Sequence, residues 1–258
     1  MISLLKRVAK RILPLSIVNW IRARRHTDEV TMIAHLCRKT GGVMVDVGAH
    51  FGSATASFVE LGWSVVAYEP DQSNRAKFLE RFADTPGVQL SSSAVSNEER
   101  AGVEFFSSKV STGISGLSAF HGSHVATDTV DTVTLAKDLE RRNVRRVDVL
   151  KIDVEGFDFF ALQGFDWSLR PRFVVYEFEN RKTVPLGYTL ADSAKYMLDR
   201  NYHLLYSVWE PIVEYGISHV WRGLYREPPT DADQSWGNVM CFSDLKDLET
   251  CLRHFGKA

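Results

Sequence analysis

The chain has 258 residues, a formal net charge of −1, 45% apolar residues and 24% charged residues. That composition excludes a disordered tail protein, a collagen-like chain and a coiled coil. No run reaches the roughly 20 apolar residues of a spanning helix, and the near-neutral charge argues against a nucleic-acid partner. Cys37, Cys241 and Cys251 form no C-x-x-C pair, so neither a zinc site nor a disulfide framework is expected, and the reading is a reduced, cytoplasmic protein.

Residues 1–40 read as a separate N-terminal helical segment and 41–258 as one domain. No Asp or Glu occurs from Met1 to Thr27, whereas Lys6, Arg7, Lys10, Arg11, Arg22, Arg24 and Arg25 all fall there. Ile2, Leu5, Val8, Ala9 and Ile12 recur at helical spacing beside that basic face. Two readings stand: a helix packed on the domain, or a peripheral contact of residues 1–25 with anionic headgroups at the inner membrane face.

From residue 41 onward, short β-rich apolar runs alternate with helical patterns, which predicts parallel strands with crossover helices. Strands are expected at Val43–Val47, Ser64–Glu69, Val88–Ser92, Val147–Ile152, Phe173–Phe178, Tyr202–Val208 and Asn238–Phe242. Helices are expected at Phe51–Leu61, Ser73–Phe82, Leu135–Arg142, Leu190–Arg200 and Leu245–His254. Val103–Phe106 and Thr129–Leu135 read as an antiparallel excursion. Residues 107–128 and 210–237 read as long loops, which in a compact domain are usually functional.

Residues 43–52, VMVDVGAHFG, run from a buried strand through Asp46 and Gly48 to Gly52 at the head of a helix. Gly48 lets the backbone turn sharply and approach a ligand, and the helix start offers unpaired N–H groups. Glu69 ends the next strand about 20 residues on, where a carboxylate accepts ribose hydroxyls. His50 stands where a dinucleotide fingerprint has its middle glycine, and the Asp46 carboxylate repels phosphate. Both features favour a nucleoside carrying an ammonium and a sulfonium, which is S-adenosylmethionine.

Together, VDVGAHFG at 45–52, YEPD at 68–71, SAVSN at 93–97 and LKIDVEGFD at 150–158 resemble the FkbM family of S-adenosylmethionine-dependent methyltransferases. The resemblance implies a class I Rossmann-like doubly wound α/β sheet of about seven strands, ordered 3-2-1-4-5-7-6 with strand 7 antiparallel. It implies O-methylation, often of sugar hydroxyls. It places Asp46, Gly48, Ala49, His50 and Gly52 at the methionine end, Glu69 and Pro70 at the ribose, Ser93 and Ala94 at the adenine, and Asp153 beside the methyl group. His50 stands where most members carry Asn.

Asp153 and Glu155 lie two residues apart after one strand, and Glu177 and Glu179 do so after the next, so each pair points to one side. Clustered carboxylates raise one another's pKa and can supply a general base, assigned to Asp153 with Glu155 beside it. Two alternatives are a divalent cation on Asp153, Glu155, Glu177 and Glu179, and surface pairing of Glu155 and Glu179 with Lys151, Arg172 or Arg181. His124 and His121 are competing bases. Trp209, Tyr215, Trp221, Tyr225 and Trp236, with Glu210 and Glu214, suit stacking on a sugar or packing under a loop. The expected function is methyl transfer to a hydroxyl, of a sugar in a glycan or glycolipid. Two rivals are a nicotinamide-dependent oxidoreductase and a non-catalytic nucleotide-binding module.

Overall fold

The computed structural model describes residues 28–37, 41–108, 112–212 and 219–256. The segment 1–25, with its expected amphipathic helix, lies outside the described residues.

An eight-stranded sheet forms the centre, built from β1 (Val43–Val47), β2 (Ser64–Tyr68), β3 (Val88–Ser91), β7 (Val149–Ile152), β8 (Phe173–Phe178), β9 (His203–Trp209), β10 (Trp221–Tyr225) and β11 (Trp236–Phe242), in the order β10-β9-β11-β8-β7-β1-β2-β3. Without β10 this is the order 3-2-1-4-5-7-6, and β11 runs antiparallel to both its neighbours. The fold is therefore the class I doubly wound α/β fold. The eighth strand, β10, pairs antiparallel with β9 inside the stretch expected to be a loop. Its Trp221–Tyr225 run is broken by Arg222 and Gly223, which hides the strand period.

Alternation along each strand divides the core into two layers. Val45 and Val47 of β1, Leu150 and Ile152 of β7, and Val174 and Tyr176 of β8 join one apolar cluster. Met44, Val149, Phe173 and Val175, one residue out of phase, join the other. Both faces are covered, so the central strands read as continuous apolar runs. Into the second layer also point Asp46 and Lys151, which are register partners on β1 and β7.

The helices are α1 (Glu29–Cys37), α2 (Ser53–Val59), α3 (Gln72–Phe82), α4 (Leu135–Arg141), α5 (Asp158–Gln163), α6 (Asn180–Thr183), α7 (Leu190–Leu198) and α8 (Leu245–Phe255). α1 falls within the expected N-terminal segment; it packs in the second layer with Val30, Met32, Ile33 and Cys37 buried there beside Phe58 of α2 and Cys251 of α8. All three cysteines are buried, and none is in a disulfide. The expected excursion is a second sheet, β4-β6-β5, of β4 (Ala94–Val95), β5 (Arg100–Ser108) and β6 (His124–Val133), in which β5 and β6 pair antiparallel. Those two strands extend into the 107–128 stretch, so the connecting loop is shorter than expected. Among the described residues no helix is long and apolar enough to cross a membrane.

Candidate active site

At the carboxyl ends of β1, β2, β7 and β8, next to the point where the strand order reverses, lies a cavity of about 550 Å³, within the size range of small-molecule sites. Its rim is stitched by the chain itself. The N–H groups of Gly48 and Ala49 both donate to the Tyr68 carbonyl at 3.0 Å, and Asp153 N–H donates to Val47 O at 3.0 Å. These bonds lock the glycine turn between the ends of β2 and β7.

Gly48 has a φ of +75°, and a Cβ there would lie 1.8 Å from the Asp153 carbonyl oxygen. No side chain fits, so the β1 and β7 loops can touch only through glycine. Gly52, φ +78°, faces the Phe78 and Phe82 rings instead of the cavity, so its role is to seat the head of α2 against α3. His50 lines the cavity with a φ of +50°, its ring stacked on Phe51 at 3.7 Å. Burial holds its pKa below the usual histidine value.

Glu69 is 5% exposed and lines the cavity. One carboxylate oxygen accepts from His50 N–H at 2.7 Å and the other from Asp71 N–H at 2.8 Å. Two backbone bonds and the Asn74 side-chain amide hold the carboxylate, and three donors on two oxygens leave acceptor capacity for a ligand hydroxyl. Burial pushes its pKa up, against the pull of those two N–H groups and of the Asn74 side chain. Ala49, Pro70 and Ser93, on the loops after β1, β2 and β3, line the same cavity with Ala94, which opens β4.

Asp46 differs from expectation. It is fully buried and does not line the cavity: one oxygen accepts from the Thr55 hydroxyl at 2.7 Å and the other lies 3.4 Å from the Lys151 ammonium. Asp46 thus sits beneath the loop and reaches the cavity only through Lys151, which does line it.

Asp153 and Glu155 both line the cavity. The Asp153 side chain is 46% exposed, with a carboxylate oxygen 3.7 Å from Lys151 Nζ. Glu155, at φ +57°, is buried and ion-paired with Lys182 at 2.6 Å. Lys182, 2% exposed, also contacts Glu177 at 2.9 Å and Glu179 at 2.9 Å. The expected gathering of carboxylates is present, with oxygens of Asp153, Glu155 and Glu177 within 4.8 Å of one another. A cation from the chain already sits among them. Of the expected surface pairs, Arg181 does reach Glu179, but Lys151 turns to Asp46 and Asp153, and Arg172 to Asp247. Lys182 was not legible in the sequence, because nothing local marks a lysine on a short helix as buried.

A further carboxyl completes this cluster. Asp158, at the head of α5, is 2% exposed and accepts N–H bonds from Gly156 at 3.2 Å and Glu177 at 3.3 Å. Burial, with the charges of Glu177 and Asp153, pushes its pKa up to about 8. Burial likewise pushes Glu155 up to about 7, opposed by Lys182, and Glu177 well above the carboxylate range.

His124 is corrected as a base candidate. It does not line the cavity; Nδ1 accepts from His121 N–H at 3.2 Å and Nε2 faces the Ile114 carbonyl at 2.8 Å. A carbonyl only accepts, so Nε2 carries the proton and both ring nitrogens are occupied. His121 also lies outside the cavity lining. Trp221 is buried, with its indole N–H on the Ser207 hydroxyl at 2.8 Å. Trp209 and Trp236 stack at 5.3 Å, and Arg222 pairs with Glu210 at 2.9 Å. Tyr215 and Glu214 lie outside the described residues. Sequence reasoning also missed the start of α1: Asp28 to Thr31 form one wall of the cavity.

Comparison with solved structures returns methyltransferases at low identity. The precorrin-6y C5,15-methyltransferase of Geobacter metallireducens shares 12% identity at a TM-score of 0.43, covering 84% of this chain and 90% of that one. An rRNA methylase of Streptococcus thermophilus shares 9% identity at 0.44, covering 84% and 96%. Aeropyrum pernix fibrillarin, solved with bound S-adenosyl-L-methionine, shares 12% at 0.41, covering 85% and 76%. Among curated proteins none matches the sequence. The family model for the methyltransferase FkbM domain matches residues 46–204, from the buried aspartate of β1 into β9. The chain belongs to the FkbM methyltransferase family, and it is an S-adenosylmethionine-dependent methyltransferase.

Proposed function

We propose that the enzyme methylates a hydroxyl group, that the acceptor is a sugar of a glycan or glycolipid, and that Asp153 is the general base. The observation that carries this reading is the Asp153 carboxylate. It is half-exposed, lines the cavity and is held against the glycine turn by Asp153 N–H on Val47 O.

The residues present fit the cofactor. A Cβ at Gly48 would push the β1 and β7 loops that form the rim apart, and Glu69 keeps acceptor capacity for a ribose hydroxyl. Ser93 and Ala94 would frame the adenine, with His50 and Ala49 toward the methionine end. When bound, S-adenosylmethionine supplies an electrophilic methyl carbon on a sulfonium. The chain's own work is to align the acceptor oxygen and to take its proton as that oxygen attacks. An alcohol is too weak an acid to ionise at neutral pH, so its proton needs a general base, here the Asp153 carboxylate. Asp153, open to solvent on one side, can then release that proton to water.

No metal is assigned a role. Lys182 already places a positive charge among Glu155, Glu177 and Glu179. A chelator is therefore expected to leave activity unchanged. The sugar assignment is carried over from the family resemblance; the stacked Trp209–Trp236 pair lies at the same carboxyl edge, outside the cavity lining. The test is Asp153→Asn, which keeps shape but cannot take a proton. Methyl transfer into a carbohydrate pool is expected to fall about 10²–10⁴-fold while S-adenosylhomocysteine still binds. Near-normal turnover would remove Asp153 as the base.

A further inference from the structure

Lys151 is a lysine in the interior of a parallel sheet, which is rare unless its charge is paired. It stands on β7 directly opposite Asp46 of β1, and its side chain follows that aspartate into the second layer. It is 8% exposed. Its ammonium donates to Gly48 O at 2.7 Å and to Val47 O at 3.3 Å, and lies 3.4 Å from Asp46 and 3.7 Å from Asp153. Burial alone would favour the neutral amine, but the two carboxylates outweigh it and hold the pKa above the ordinary lysine value. Three groups thus stand in a row beneath the glycine turn, at the cavity floor, two carboxylates with one ammonium between them, and together carry one net negative charge, while Glu69 adds a further carboxylate to the cavity wall.

We infer that Lys151 is a positioning residue that sets this charge, limiting how much more tightly the floor holds the cationic methyl donor than its neutral product. This rests on the S-adenosylmethionine reading above. Donor and product differ by one methyl group and one positive charge on sulfur. An ammonium in the cavity wall offsets part of the carboxylates' pull on the sulfonium, so transfer of the methyl group loses less attraction than it would without that ammonium. Without Lys151 the floor would carry two uncompensated carboxylates. The donor would gain affinity relative to the product, and the charge lost during transfer would then cost binding energy.

The test is the ratio of dissociation constants for S-adenosylhomocysteine and S-adenosylmethionine, measured by calorimetry on the full chain. Lys151 also braces the glycine turn, so Lys151→Met will weaken both ligands, but such loosening cancels in the ratio. At the effective dielectric of about 20 that suits partly buried sites, loss of one charge should raise the ratio on the order of tenfold. Lys151→Arg, which keeps the charge, should leave it near wild type. Asp153→Asn removes one negative charge from the exposed end of the row and should lower the ratio several-fold, which tests the same electrostatics should Lys151→Met not fold. A ratio within twofold of wild type in Lys151→Met, or in Asp153→Asn, would overturn the inference. If wild type bound neither ligand, the cofactor reading itself would fail, which is a different result.

Discussion

Replacing Glu69 by Gln tests the ribose contact at the level of single hydrogen bonds. In the native chain both carboxylate oxygens are already held, by His50 N–H at 2.7 Å and Asp71 N–H at 2.8 Å, and the Asn74 side-chain amide bonds the same carboxylate, which still leaves a lone pair for a hydroxyl. Glutamine keeps one oxygen for one backbone N–H and turns an NH₂ toward the other, donor against donor. A ribose hydroxyl then loses a charge-assisted acceptor, a contact worth about 1.5–3 kcal/mol. The dissociation constant for S-adenosylhomocysteine should rise on the order of 10–100-fold. Calorimetry reads the constant, and a thermal melt without ligand reads any loosening of the loop. The two effects separate with 2′-deoxy-S-adenosylhomocysteine. Wild type should lose about tenfold on deletion of that hydroxyl, whereas the Glu69→Gln protein should lose little more. A variant that binds S-adenosylhomocysteine within twofold of wild type, or that keeps the full 2′-deoxy penalty, would refute the contact.

The remaining predictions concern the carboxylate cluster and the N-terminal segment. Glu155→Gln should lower turnover less than Asp153→Asn, because Glu155 is held by Lys182 and does not share the open position of Asp153. The Asp158 pKa rises from 3.8 to about 8 on folding, so the folded state binds the extra proton. The stability this gives is complete below the unfolded value and is lost as pH rises through about 8. Asp158→Asn, which keeps an acceptor for one of the two N–H groups, should therefore melt with a smaller loss between about pH 6 and pH 9 than wild type. Some slope will remain from Glu155 and Glu177, whose shifts have the same sign; an unchanged slope would remove Asp158 from the cluster's titration. Removing residues 1–25 should leave S-adenosylhomocysteine binding intact, because the described cavity wall begins at Asp28. If the basic face of that segment meets anionic lipid, vesicle binding should fall with salt and vanish on truncation.

The parts of the site that were legible in the sequence are those fixed by short-range chemistry. Gly48, Glu69 and Asp153 each directly follow a strand whose apolar run is unmistakable, and a strand end in a parallel sheet is a place in space as well as in sequence. Asp46 was legible as important but not in its role. Its neighbour in the sheet is Lys151, 105 residues later, and that pairing turns a cavity carboxylate into a buried one. Lys182 was hidden for the same reason: its partners come from β8 and from the loop after β7, and no periodicity in NRKT marks it as buried. His124 drew attention as a loop histidine, but it opens β6, where the turn at 121–124 takes up its ring. β10 was lost because Gly223 and Arg222 interrupt its apolar pattern and the register shifts there.

The most direct measurement of the central claim follows the methyl group to its product. Wild-type protein would be incubated with methyl-labelled S-adenosylmethionine and a carbohydrate pool, and the labelled product hydrolysed to monosaccharides. The account predicts label in an ether-linked O-methyl sugar, stable to alkali, and little label with Asp153→Asn. Label released by alkali as methanol from an ester, or found on nitrogen or in nucleic acid, would contradict it.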